Sequence, residues 1–174
     1  MGWGRRLGWL PEDGVKENQQ MKKFITGVLV IVWMAVIFAF SAQDATESSR
    51  TSQSVSYRIA KWQDRFFHQG KTEEELLQQA EGMQLIIRKG AHMSEYALLA
   101  MLLGVHLGCY PFPKWKAFLL AFGITVCYAA SDEFHQVFVP GRAGRLTDVG
   151  IDSIGGLAGS LAVFLFDRKG HAKA

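Results

Sequence analysis

Seven ionisable side chains stand inside or against long apolar stretches of this chain: His92 and Glu95, then Asp132, Glu133 and His135, then Asp148 and Asp152. Titratable groups at membrane depth are expensive and persist where they pair, bind or react. Imidazole beside carboxylate can move protons as a general acid or base. The same donors can hold a divalent cation, with Glu95 or Glu133 left over as a base. The spacing does not form the H-E-x-x-H pattern of a zinc helix, so no cofactor is fixed by the sequence, although the donor set is compatible with a divalent metal. Arg88, Lys89, Arg142 and Arg145 flank the acids. Such cations either neutralise the carboxylates or bind an anionic headgroup or phosphate. Ser94 and Ser131 adjoin the cluster without the G-x-S-x-G elbow that exposes a serine nucleophile. His68, His106 and His171 read as surface or interface residues.

The spacings put these groups on common helix faces. His92 and Glu95, with Tyr96 next, share one face, and Tyr128, Asp132 and His135 share another at i, i+4 and i+7. Asp148 and Asp152 stack at i, i+4, and Gly155, Gly156 and Gly159 continue their side. Gly155-x-x-x-Gly159 is a small-residue surface that lets helices approach closely, which turns both aspartates inward. Residues 139–145, VPGRAGR, read as a tight turn after which Thr147 or Asp148 caps the next helix.

The elements that position these groups are four apolar stretches: residues 24–42, 91–108, 117–139 and 147–166. The first carries no charge and spans roughly 28 Å as a helix, close to a hydrocarbon core. Backbone groups in lipid must satisfy one another, and no strand-like alternation is present, so the spans are helices. The expectation is an all-α fold, an integral membrane four-helix bundle with an amphipathic helix in its long first outer loop. In that loop Val55, Ile59, Trp62 and Phe66 recur at helical spacing with Arg58, Lys61, Asp64 and Arg65 elsewhere on the wheel. Such a helix lies on the membrane surface with Trp62 at the interface, or packs on the outer surface of the domain itself. Thr72 and Glu75 form a capping-box pattern that starts another helix, lined by Leu76, Ala80, Met83 and Ile87 and able to continue into the second span.

Residues 1–20 are polar and poorly patterned and read as a flexible tail, or as a stretch upstream of a true start at Met21; the domain is expected over residues 21–170. The first span is longer than a signal-peptide core and carries Trp33, which favours an uncleaved anchor. Short basic flanks set the orientation. Lys22 and Lys23, Lys114 and Lys116, and Arg168, Lys169 and Lys173 fall on one side of a four-span chain, which the positive-inside rule makes cytoplasmic together with both termini. Ser41 and Gln43, at the end of the first span, then join the acids and histidines near the extracytoplasmic face.

The net charge of +3 is small and its basic residues cluster at segment ends, which excludes a nucleic-acid-binding face. Cys109 and Cys127 have neither zinc-site nor disulfide-framework spacing and read as two buried thiols.

Phe40-Ser41-Ala42-Gln43, Arg88-Lys89-x-x-His92-x-x-Glu95-Tyr96 and Ser131-Asp132-Glu133-x-x-Gln136-x-Phe138-x-Pro140-Gly141-Arg142, followed by Asp148, Asp152 and Gly156, resemble the VanZ-like family of small membrane proteins over most of residues 21–166. That resemblance implies a bacterial cell-envelope role. The family takes its name from a protein associated with low-level resistance to teicoplanin, a lipoglycopeptide that acts outside the cytoplasmic membrane. Three readings follow. The first is binding of an anionic amphiphile, a membrane lipid, lipid-linked cell-wall precursor or lipoglycopeptide, with Arg88, Lys89, Arg142 and Arg145 at the anionic group, Ser41, Gln43 and Gln136 beside them, and the seven acids and histidines as pocket floor. The second is an intramembrane hydrolase or transferase acting on a lipid phosphate, with or without a metal. The third is a structural or partner-binding module whose polar centre holds the helices.

Overall fold

The computed structural model describes residues 12–171, with side chains over residues 16–166. All its regular elements are helices: α1 (Glu12–Ser41), α2 (Ala45–Phe67), α3 (Glu73–Leu107), α4 (Lys114–Gln136) and α5 (Leu146–His171). Three of them contain segments long and apolar enough to cross a bilayer, Lys16–Ser41, Lys114–Gln136 and Leu146–Phe166. At 1.5 Å per residue these measure about 39, 34 and 31 Å, against a hydrocarbon core of ~30 Å. Large apolar side chains lie on the outside, among them Phe24, Ile31, Leu119 and Phe166. An outward apolar belt is costly in water and costs nothing in lipid.

The second expected span, residues 91–108, is not among the three. His92, Glu95 and His106 dilute its apolar character, and it is the C-terminal part of the much longer α3. It nevertheless lies at the centre of the bundle, because α3 packs on each of the other four helices. Tyr96, Leu99 and Leu103 of α3 pack with Val30 and Ile37 of α1 and Ala121 and Ala129 of α4 to form the core.

Two further expectations are corrected. Residues 12–20, read as part of a flexible tail, are helical from Glu12 onward, and residues 1–11 lie outside the described residues. No break separates them from the apolar run, because Glu, Gln and Lys are good helix formers. Neither Thr147 nor Asp148 caps α5, which begins at Leu146; Asp148 sits in its first turn, where a carboxylate favours the positive end of the helix dipole. The basic flank at Arg168, Lys169 and Lys173, with His171, lies outside the described side chains.

The loop helix α2 is capped by Asp44, whose carboxylate accepts the Glu47 N–H at 2.8 Å. It packs on α3 through Ser48, Ser52, Ser56 and Ala60, spaced four apart, while Val55, Trp62 and Phe66 stay exposed. The Ser52 and Ser56 hydroxyls donate to the carbonyls four residues back, both at 2.8 Å, so this polar seam is satisfied within its own helix. The Thr72–Glu75 capping box forms as expected and starts α3.

Candidate functional site: a polar cavity at the α3–α4–α5 end

Close helix approach creates the site. A Cβ on Gly155 would overlap the Met93 carbonyl, and one on Gly159 would overlap the Ala97 carbonyl. These two glycines seat α5 directly on the α3 backbone and bring Asp152 level with the turn of α3 that carries Lys89 and His92. The turn after α4 closes the end. Gly141 there has φ +74°, open to glycine at little cost, and a Cβ on it would press on Ala45 at 3.0 Å. The Pro140 carbonyl accepts the Ala45 N–H at 3.3 Å, which ties this turn to the start of α2.

Two cavities result. The first, of about 320 Å³, lies between α3, the α4–α5 turn and α5, and is lined by Arg88, Lys89, His92, Glu133, Gln136, Arg142, Arg145, Asp148 and Asp152. The second, of about 240 Å³, lies between the end of α1, α2 and α3, and Gln43 and Glu95 line it along with apolar side chains. Arg88, His92 and Arg142 line both, so the two spaces share one wall.

The cations divide into free and engaged. Lys89 Nζ lies 2.7 Å from Asp148 Oδ1, a pair that bridges α3 and α5. Arg88 donates to the Ser49 hydroxyl at 2.9 Å and to the Ser52 hydroxyl at 3.5 Å, which aims it from α3 toward α2. Arg142 reaches the Phe40 carbonyl at 3.5 Å. Burial first, and the neighbouring Arg88 charge next, lower the Arg142 pKa from its ordinary value. A guanidinium stays charged regardless, so this is repulsion and desolvation that an anion would relieve. The Arg145 side chain is largely exposed at the rim, and its backbone N–H donates to Glu133 Oε2 at 2.9 Å.

The acids sit deeper. Asp132, Glu133, Gln136 and Asp152 are all buried. Gln136 donates to Asp132 Oδ2 at 3.2 Å. His92 Nδ1 stands 3.8 Å from Glu95 Oε2, an electrostatic pairing too long for a hydrogen bond. Seven buried side-chain polar atoms have no hydrogen-bond partner among the described residues, and six of them belong to this end: Ser41 Oγ, His92 Nδ1, Tyr96 Oη, Asp132 Oδ1, His135 Nδ1 and Asp152 Oδ1. The seventh, Ser160 Oγ, lies about 12 Å farther along α5.

His135 stands apart from both cavities, its ring packed against Phe38 with centroids 4.6 Å apart. Ser94 and Ser131 are exposed and donate to carbonyls of their own helix. Among the described residues no three His, Cys, Asp or Glu side chains are grouped so as to hold a metal ion. Sequence reasoning passed over Ser49 and Ser52, which hold Arg88. Ser52 belongs to a serine repeat at four-residue spacing, Ser48, Ser52 and Ser56, within the Ser/Thr-rich stretch that opens α2, and Ser49 adjoins it.

Long helices with apolar exteriors around a polar, incompletely satisfied end define a multi-pass membrane protein. The chain belongs to the VanZ/LLP1 family, whose model matches residues 26–167. No curated protein and no solved structure matches it.

Proposed function

We propose that this protein binds an amphiphile at its polar end through the ligand's anionic group, with Arg88 and Arg142 as the principal contacts. The observation that carries this reading is the wall of Arg88, His92 and Arg142 shared by a polar cavity and a more apolar one. A membrane lipid, a lipid-linked cell-wall precursor and a lipoglycopeptide such as teicoplanin all join a polar head to a lipid chain. The C-terminal part of α3 serves as a fourth span, its charges covered by α5 and α1. The cavities then face the extracytoplasmic side and both termini the cytoplasm, as the basic flanks require. Resistance to a lipoglycopeptide is the phenotype such a site would produce if the drug, or the precursor it seeks, is the ligand.

Mass spectrometry of gently purified protein tests this reading. Wild-type protein is expected to retain an amphiphile with an anionic group near one-to-one, and Arg142→Gln to lose most of it. Equal, negligible retention by both removes the proposal. A second reading, hydrolysis or transfer at a lipid phosphate, draws on the His92–Glu95 approach beside the two arginines. It calls for release of phosphate or head group from added lipid, abolished by Asp132→Asn. The third reading, a structural or partner-binding module, rests on the Lys89–Asp148 bridge and calls for a collapse in stability rather than in binding when the polar end is altered.

A further inference from the structure

The floor of the polar cavity has the wrong charge for a purely anionic ligand. Asp152 is 1% exposed, lines the cavity, and its Oδ1 has no partner. Glu133 lines the same cavity and accepts the backbone N–H of Arg145, a neutral donor. Asp132 accepts from Gln136, again a neutral donor. Lys89, which lines the same cavity, is taken by Asp148. A buried carboxyl ionises only against a desolvation cost, and a cation placed beside it offsets that cost. Arg88 and Arg142 stand across the cavity, at the wall it shares with the second one.

We infer that the bound amphiphile is a zwitterionic phospholipid, its phosphate between Arg88 and Arg142 and its ammonium-bearing head over Asp152 and Glu133. This rests on the amphiphile reading above and narrows it. The rest of the molecule has a place to go. Beyond the shared wall the second cavity is flanked by Phe40, Val55, Ile87 and Ala91. Val55 is exposed on the outer face of α2 and Phe40 on α1, so an acyl chain leaving the arginines passes between these helices toward lipid. Head and chain therefore point in opposite directions from one phosphate position, which is the layout of a phospholipid and not of a free phosphate.

The test is native mass spectrometry of the full-length protein in detergent, titrated with phosphatidylethanolamine, phosphatidylglycerol and phosphatidic acid of matched chains, with inorganic phosphate as a fourth probe. Phosphatidylethanolamine is expected to bind about tenfold or more tighter than phosphatidylglycerol, the scale of one charge-assisted contact. Asp152→Asn removes that preference while leaving the weaker binding of phosphatidylglycerol in place, and Arg142→Gln weakens all three lipids. Glu133→Gln is the companion variant if Asp152→Asn does not fold, and the head-group order in wild-type protein decides without any variant. An order of phosphatidic acid or phosphatidylglycerol ahead of phosphatidylethanolamine overturns this inference and leaves the amphiphile reading intact. Retention of none of the three lipids overturns both, and binding of inorganic phosphate as tightly as phospholipid overturns the assignment of the chain groove.

Discussion

Two histidines on one helix show the difference between the ends of this molecule. His92 and His106 both belong to α3 and lie about 21 Å apart along it. At His106 both ring nitrogens meet hydroxyls, Thr26 Oγ1 at 2.9 Å from Nδ1 and Tyr110 Oη at 3.5 Å from Nε2, and Lys23 covers the Tyr110 ring at 4.8 Å. At His92, Nδ1 is buried with no hydrogen bond, and the same holds for polar atoms of Ser41, Tyr96, Asp132 and Asp152 around it. A bundle in lipid can satisfy a histidine internally, as His106 demonstrates. Leaving several unsatisfied at one level carries a cost that a structural role does not require, so the His92 end reads as a place kept open for a ligand.

The strongest way to break this comparison is to remove the approach on which the open end depends. Gly159→Leu would drive a side chain into the Ala97 carbonyl, where only backbone movement gives room. The cost is expected to exceed the ~1–3 kcal/mol of ordinary overpacking. Loss of folded, monodisperse protein on size exclusion is the expected readout, while Gly150→Leu, where a Cβ would meet nothing within 4 Å, is expected to leave that profile unchanged. A folded Gly159→Leu protein with normal ligand retention would mean that α3 and α5 do not meet at this seam.

The sharper contrast is one of sign. Asp152→Asn keeps volume and replaces a buried carboxyl whose Oδ1 has no hydrogen-bond partner among the described residues, so the ligand-free protein should melt at the same temperature or slightly higher. Ligand retention should fall. Thr26→Val at the other end removes the hydrogen bond to His106 Nδ1 and should lower stability by about 1 kcal/mol, with retention unchanged. Paired melting curves and lipid extraction decide. If Asp152→Asn destabilises as Thr26→Val does, and retention is intact in both, the polar end is scaffold.

Much of that end is legible from sequence, because ionisable groups at the edges of apolar runs are rare enough to stand out. His92, Glu133, Asp148 and Asp152 line one cavity, Glu95 lines the neighbouring one and Asp132 lines neither, while Gly155 and Gly159 make the close contact their spacing implies. The packing face of α2 was not legible. Apolar periodicity marks Val55, Ile59, Trp62 and Phe66 as one stripe, laid on the membrane surface or packed on the domain. The structure leaves Val55, Trp62 and Phe66 exposed and packs the helix through Ser48, Ser52, Ser56 and Ala60, an inversion of the apolar-inside rule that small residues permit by letting helices touch. The same inversion hides the serines that hold Arg88. His135 fell to a different cause: its spacing places it on the helix face of Asp132, yet a drift along the helix turns its ring to Phe38 and away from both cavities.

The smallest effect is expected where the geometry is shortest. Lys89 and Asp148 are 2.7 Å apart, but their side chains keep 35% and 32% of their exposure, so water and salt screen the pair and its net contribution should stay within ~1 kcal/mol. A double-mutant cycle of Lys89→Met and Asp148→Asn, read by thermal melting, measures the coupling directly. The binding readout carries the argument further. Lys89 is held by Asp148 while Arg88 and Arg142 reach the shared wall, so Lys89→Met should weaken lipid retention far less than Arg142→Gln. Equal losses would place the anionic group deeper in the cavity, beside the α5 start, and would move the head group away from Asp152. A coupling of several kcal/mol would instead make this bridge the tie that holds α3 to α5, a role the two glycines already fill by backbone contact.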